Sequence, residues 1–206
     1  MTIVAAFDLG SKNFAFAVSC NKDFIALKNV RLDETLTKSD LSKQKKQDLI
    51  ELMSNLNISN TSKIKKKEMV DLISSKIKLN KSKNKPDLCL LLVEEMNRNK
   101  NFWDLCDVFL IERQMTINLQ ALKLSHYLEM YLKIYYPCKK ILNYNASTKT
   151  KKLGGANLPT KEARKKWAVQ YVSNILKGEN LNYFQALEKK DDVADAICMI
   201  ESYLKL

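Results

Sequence analysis

Residues 1–20 read MTIVAAFDLGSKNFAFAVSC, and the fold turns on how Asp8 and Gly10 interrupt that apolar run. Residues 3–7 form a short continuous apolar stretch, the pattern of a central strand covered on both faces. Residues 14–18 repeat it, so Asp8-Leu9-Gly10-Ser11 is read as a tight turn between paired strands. A carboxylate placed there stands rigidly at a strand tip, beside backbone that a ligand can approach closely. Taken alone such an aspartate is ordinary turn chemistry. It acquires meaning only with the other acids of the chain.

Composition narrows the partners. At 206 residues and 46% hydrophobic content, the chain suits one domain, or one domain with a modest insertion. No stretch has the apolar length of a membrane span, and the N-terminus lacks the basic-then-apolar order of a signal peptide. Five scattered cysteines (20, 89, 106, 138, 198) form no C-x-x-C pair, and the lone His126 cannot complete a zinc set. Free thiols in a reducing compartment follow. A formal charge of +12 and a pI of about 9.4 call for a polyanionic partner.

The charge is concentrated. Residues 35–85 hold thirteen lysines against five acids, a net of +8. Within them, 46–56 and 66–77 are amphipathic: Leu49, Ile50, Met53 and Leu56 recur at helical spacing, as do Met69, Leu72, Ile73 and Ile77. NISNTSKIK links the two, with Ser62 as a candidate helix start, and KLNKSKNKP reads as a flexible return. The remainder, 1–34 and 86–206, reads as one α/β unit. Strands over 3–9, 13–19 and 24–32 form a meander. A helix over 87–98 leads to the strand DVFLIERQM, which has Glu112 at its end. A helix over 117–136 follows, stopped by Pro137, and then the strand KKILNYN. A basic loop and helices over 160–176 and 190–204 complete the chain. Three antiparallel strands followed by alternating helices and parallel strands is the order of the RNase H-like fold.

The acids converge in this reading. Glu112 ends a buried strand as Asp8 does, and Asp192 and Asp195 share one face of the last helix. Such a group repels itself and raises its own carboxyl pKa values. Divalent cations relieve the conflict, and oxygen donors suit Mg2+ or Mn2+.

AAFDLGSKN, LIERQM and KKDDVADAI, in that order and on those elements, resemble the Holliday junction resolvases of poxviruses and related large DNA viruses, relatives of bacterial RuvC. The resemblance covers 1–34 and 86–206 and implies a metal-dependent endonuclease for four-way DNA junctions. It implies Asp8, Glu112, Asp192 and Asp195 as ligands of two Mg2+ ions, with Mn2+ as a substitute. Asp191, four residues before Asp195, is the alternative to Asp192. A lysine near the site is also implied, and TKEARKKWAV offers Lys165 or Lys166. Metals ~3.5–4 Å apart would activate water and stabilise the leaving 3′-oxygen, giving 5′-phosphate and 3′-hydroxyl nicks. Two opposed strands must be cut, so a two-fold homodimer is expected. The helix INLQALKLSHYLEMYLKIYY, apolar on more than one stripe, is the candidate interface.

QDLIELMSNLNISNTSKIKKKEMVDLISSKI resembles a SAP module, a helix-link-helix that binds duplex DNA with little sequence selectivity. Lys12, Lys63, Lys65, Lys66, Lys67, Lys149, Lys151, Lys152 and Arg164 are the candidate DNA contacts. No membrane or small-molecule cofactor is expected. FDLGSKN also resembles the first phosphate turn of the actin and heat-shock ATPases, but four glycines and 206 residues cannot supply their second lobe. A DNA-binding or architectural protein on the same fold, or an RNase H acting on hybrids, are the competing functions. A viral replication compartment in the host cytoplasm or nucleus suits the resolvase reading, with a mitochondrion as the alternative.

Overall fold

The computed structural model describes residues 2–32, 41–42, 44–56, 58, 64–81, 87–155 and 158–205. In chain order these form β1 (Ile3–Leu9), β2 (Asn13–Cys20), β3 (Asp23–Arg31), α1 (Lys46–Asn55), α2 (Lys66–Lys81), α3 (Leu88–Arg98), α4 (Lys100–Leu105) and β4 (Val108–Glu112). There follow α5 (Leu119–Tyr135), β5 (Lys140–Tyr144), α6 (Ala146–Leu153), α7 (Lys161–Ile175), α8 (Gly178–Ala186) and α9 (Asp191–Leu204). Two compact units result: Met1–Asp33 with Leu88–Leu206, and Glu34–Asp87. Among the described residues no helix is long and apolar enough to cross a membrane.

The larger unit holds a single five-stranded sheet in the order β3-β2-β1-β4-β5. β1, β2 and β3 are antiparallel neighbours, while β4 and β5 run parallel with β1. Helices flank this mixed sheet, and the whole is an RNase H-like fold. β1 and β4 sit at the centre because each is apolar at consecutive positions, as strands covered on both faces must be.

Side chains alternate across the sheet. Ala5, Phe7, Leu9, Phe109 and Ile111 face a layer that includes α3, α5 and Trp103. That side is aromatic: Phe7 and Phe16 meet Trp103 with ring centroids 5.2 and 4.8 Å away. Val4, Ala6, Ala15, Ala17, Val108 and Leu110 face α9 and α7. The alanines leave room for α9 to lie close, and Val193, Ala194, Ala196, Ile197, Met199 and Ile200 are buried there. Asp8 and Glu112 continue the even-numbered series beyond the apolar core. Both therefore emerge on the α9 side, at strand ends that the Phe7–Ile111 pairing holds level.

Two expectations change. The basic loop after β5 is a helix, α6, whose Asn145 side chain accepts from the Ser147 amide and whose C-cap Gly154 takes φ +95°. A side chain on Gly155 would press within 3.0 Å of Trp167, so the α6–α7 connection passes tightly against that ring. The helix expected over 117–136 begins at Leu119, because Asn118 caps it by accepting from the Ala121 amide. Met115 and Ile117 are left outside, exposed before the helix.

The smaller unit has its own core, made by Leu41, Leu49, Met53, Met69, Val70 and Ile73. Val70 is buried and Leu72 exposed, the reverse of the spacing read from sequence. The two helices are near copies: KKQDLIELMS (45–54) and KKKEMVDLIS (65–74) match conservatively at nine of ten positions. The copies start alike. Asp48 accepts from the Lys45 amide at 3.1 Å and Glu68 from the Lys65 amide at 3.3 Å. Equivalent positions Leu49/Met69 and Met53/Ile73 fill the core.

Candidate active site

Three acids meet where β1 and β4 end beneath the first turns of α9. One carboxylate oxygen from each of Asp8, Glu112 and Asp195 lies within 4.8 Å of the others. A fourth charge completes the group. Lys149 of α6 is buried, its Nζ 2.7 Å from Glu112 Oε1 and 2.8 Å from Asp195 Oδ1.

The electrostatics follow from the crowding. Burial, reinforced by Glu112 and Asp195, pushes the Asp8 carboxyl well above the usual aspartate range, and the hydrogen bond between the two carboxyl groups raises Asp8 and lowers Glu112. Burial works against charge on Glu112, but Lys149, the hydrogen bond with Asp8 and Lys161 together hold that carboxyl below the glutamate range. Asp195 is raised by burial and by Glu112, with Lys149 opposing. Lys149 loses by burial yet is held above the ordinary lysine value by Glu112, Asp195 and Asp8. One ammonium thus only partly relieves three crowded carboxyl groups. Three hard oxygen donors of this kind fit Mg2+ or Mn2+.

The D-x-x-D pair divides. Asp195 points into the cluster, whereas Asp192 stands outside it. The Asp192 carboxylate accepts from Asn13 Nδ2 at 3.1 Å and from Lys189 Nζ at 2.7 Å through both oxygens. Asp191 pairs with Lys165, which lowers the aspartate and raises the lysine. Lys165 therefore lies one carboxylate away from the cluster, and Lys166 is exposed on α7. Lys149, read as a phosphate contact beside Lys151 and Lys152, instead turns inward. Once 146–153 is helical, Lys151 falls on the opposite side from Lys149, and both Lys151 and Lys152 remain exposed. Lys12, Arg164 and Lys161 are also exposed, as are Lys65, Lys66 and Lys67 of the smaller unit. Lys63 lies outside the described residues.

Sequence reasoning missed two roles, the inward turn of Lys149 and the grip of Asn13 on Asp192. The Asn145 cap with the Gly154-Gly155 stop was the available signal for the first. Nothing in spacing alone signals the second.

No protein-family model matches the chain. It is similar to the solved structure of Thermus thermophilus RuvC, at 11% identity and a TM-score of 0.46, covering 99% of this chain and 96% of the other. It is also similar to T. thermophilus RuvC in complex with a Holliday junction substrate, at 12% identity and a TM-score of 0.48, covering 100% and 96%. Among curated proteins it is 26% identical over 225 residues to the uncharacterized protein 170L of Invertebrate iridescent virus 6, covering 97% of this chain and 87% of that one. With the uncharacterized protein 97L of Invertebrate iridescent virus 3 it shares 49% identity over 205 residues, covering 99% of this chain and all of the other. The chain belongs to the family of that iridescent-virus protein 97L.

Proposed function

We propose that this protein is a divalent-metal-dependent endonuclease that resolves four-way DNA junctions, of the type found in poxviruses, acting where viral DNA is replicated. The observation that carries the reading is the convergence of Asp8, Glu112 and Asp195 at the level ends of β1 and β4, in a chain of net charge +12. A convergent acidic cluster opposes DNA binding unless a cation neutralises it, and a strongly basic chain has little other use for one.

Asp8, Glu112 and Asp195 hold the metal, two Mg2+ ions per site in the full assembly. Metal supplies Lewis-acid stabilisation of phosphodiester hydrolysis, leaving 5′-phosphate and 3′-hydroxyl ends. Asp192, fastened to Asn13, braces the turn that follows Asp8. Lys149 supplies the positive charge beside the reacting phosphate, and Lys165 fixes Asp191. Lys12, Lys151, Lys152, Arg164 and Lys166 contact backbone phosphates, positioning DNA without reading its sequence. The apolar face of α5 joins two copies so that opposed strands are cut together.

The test is parallel incubation with Mg2+ of a labelled four-way junction, a duplex of the same sequence and an RNA–DNA hybrid. The junction should be nicked and the others spared, with all cutting lost in chelator. Preferential hybrid cleavage would favour an RNase H-type enzyme, and binding without cutting an architectural protein.

The 35–85 segment is proposed as a SAP-like arm whose two repeated lysine-rich helix starts contact phosphates. Each phosphate contact contributes roughly 0.9 to the slope of log affinity against log salt on duplex DNA. Replacing the arm by a short Gly/Ser linker should therefore flatten that slope and weaken junction binding at moderate salt. Single-turnover cutting at saturating protein should persist, because no carboxylate of the cluster lies in the arm. An unchanged slope would reduce the arm to a structural hairpin.

A further inference from the structure

The acidic cluster already contains a cation. Lys149 is 6% exposed, and its ammonium touches Glu112 at 2.7 Å and Asp195 at 2.8 Å. These two residues belong to the trio whose ligand oxygens lie within 4.8 Å of one another. An ammonium bonded there draws on the same lone pairs that a divalent ion would use. The charges make the competition steep, because a divalent ion and an ammonium a few ångströms apart repel strongly where water screens them little. Nothing else on α6 shares the position, since Lys151 and Lys152 remain exposed.

Resting on the metal-nuclease reading above, we propose that Lys149 is a resident counter-cation: it stands in for the divalent ion in the metal-free protein, and metal enters by displacing its ammonium from Glu112 and Asp195. The displacement asks only for rotation of a flexible four-carbon stem. The released ammonium then needs a new anionic partner, and a DNA phosphate at the mouth of the cluster provides one. Metal and DNA are thereby linked through one side chain, each favouring the other, as any coupling between two ligands must be reciprocal.

The experiment is calorimetric titration of Mn2+ into the full-length protein and its Lys149→Met and Lys149→Gln variants, with circular dichroism to establish folding. Both variants should bind Mn2+ roughly tenfold or more tightly than the wild type, because the competing charge is gone. Both should also melt at lower temperature in chelator and recover in Mn2+, since two buried carboxylates have lost their partner. Should Lys149→Met not fold in chelator, Lys149→Gln, which keeps a donor for Glu112, decides by the same titration. Wild-type binding as tight as that of the folded variants, or tighter, overturns the counter-cation and makes Lys149 a fixed organiser of the site. A wild-type protein that takes up no Mn2+ overturns the metal-site reading, and the counter-cation falls with it.

Discussion

Replacing Asp8 by asparagine should abolish junction cutting and, in chelator at neutral pH, raise the melting temperature. Loss of a group that merely orients a metal ligand typically costs about 10–100-fold, and loss of a ligand costs more. Junction affinity should stay, because the proposed phosphate contacts come from basic residues outside the cluster. The stability gain follows from the raised Asp8 carboxyl. In the unfolded chain this group ionises near the ordinary aspartate value; in the fold it keeps its proton to higher pH. Folding then takes up a proton, so stability declines as pH rises from the unfolded pKa through the folded one. Above the folded value the full penalty applies, and asparagine, which can still donate to Glu112, escapes it. The gap between variant and wild type should close as pH falls toward about 3.9. Mg2+ should stabilise the wild type, since it binds only the folded state, and leave Asp8→Asn unchanged. Activity lost with stability gained separates a removed ligand from a damaged fold. A less stable Asp8→Asn protein would contradict the crowded-carboxylate account.

A paired Met130→Glu, Ile134→Glu substitution should convert the proposed dimer into a well-folded monomer. α5 buries Ala121, Leu124, Leu128, Tyr131 and Leu132 against the sheet. Its other side presents Tyr127, Met130 and Ile134 at helical spacing, with Met130 and Ile134 56% and 64% exposed. Leu119, Ile117 and Met115 are also exposed, at the start of α5 and just before it. Exposed apolar side chains grouped on one helix face mark a candidate interaction site. Two glutamates per copy place four carboxylates across a two-fold interface, where none has a partner. Sedimentation should show the wild type as a dimer and the variant as a monomer with the same far-UV spectrum. Junction products should change from paired to uncoupled single nicks. A wild type that sediments as a monomer at tens of micromolar would remove α5 as the interface.

The strands were the legible part. β1 and β4 announce themselves by consecutive apolar residues closed by an acid, and alternation along them already puts Asp8 and Glu112 on one face. α6 was illegible for a physical reason. ASTKTKKL has no apolar period, and its helix exists because Asn145 caps one end, Gly154 closes the other, and Leu153 packs inward. Missing that helix hid Lys149, because only helical spacing sets it opposite Lys151. The last acids illustrate a different limit. Positions 191, 192 and 195 all lie within one turn or so of each other, and spacing cannot say which carboxylate turns inward. Partners outside the helix decide: Asn13 and Lys189 hold Asp192, Lys165 holds Asp191, and Lys149 holds Asp195. The smaller unit shows the converse. Its repeat was present in the residues all along, but became evident only when Leu49 and Met69 appeared as equivalents in one core.

In the proposed function the Asp8–Glu112–Asp195 cluster cuts branched DNA with a divalent metal. The most direct measurement is a strand-by-strand product map from a four-way junction, labelled in each strand in turn, with Mg2+ and with chelator. The account predicts nicks at symmetry-related positions in two opposed strands. Their 5′-phosphate and 3′-hydroxyl ends should be sealed by a ligase, and no product should form in chelator or with Asp8→Asn. Cutting that persists in chelator or in the Asp8→Asn protein, or an intact junction in the presence of Mg2+, would contradict it.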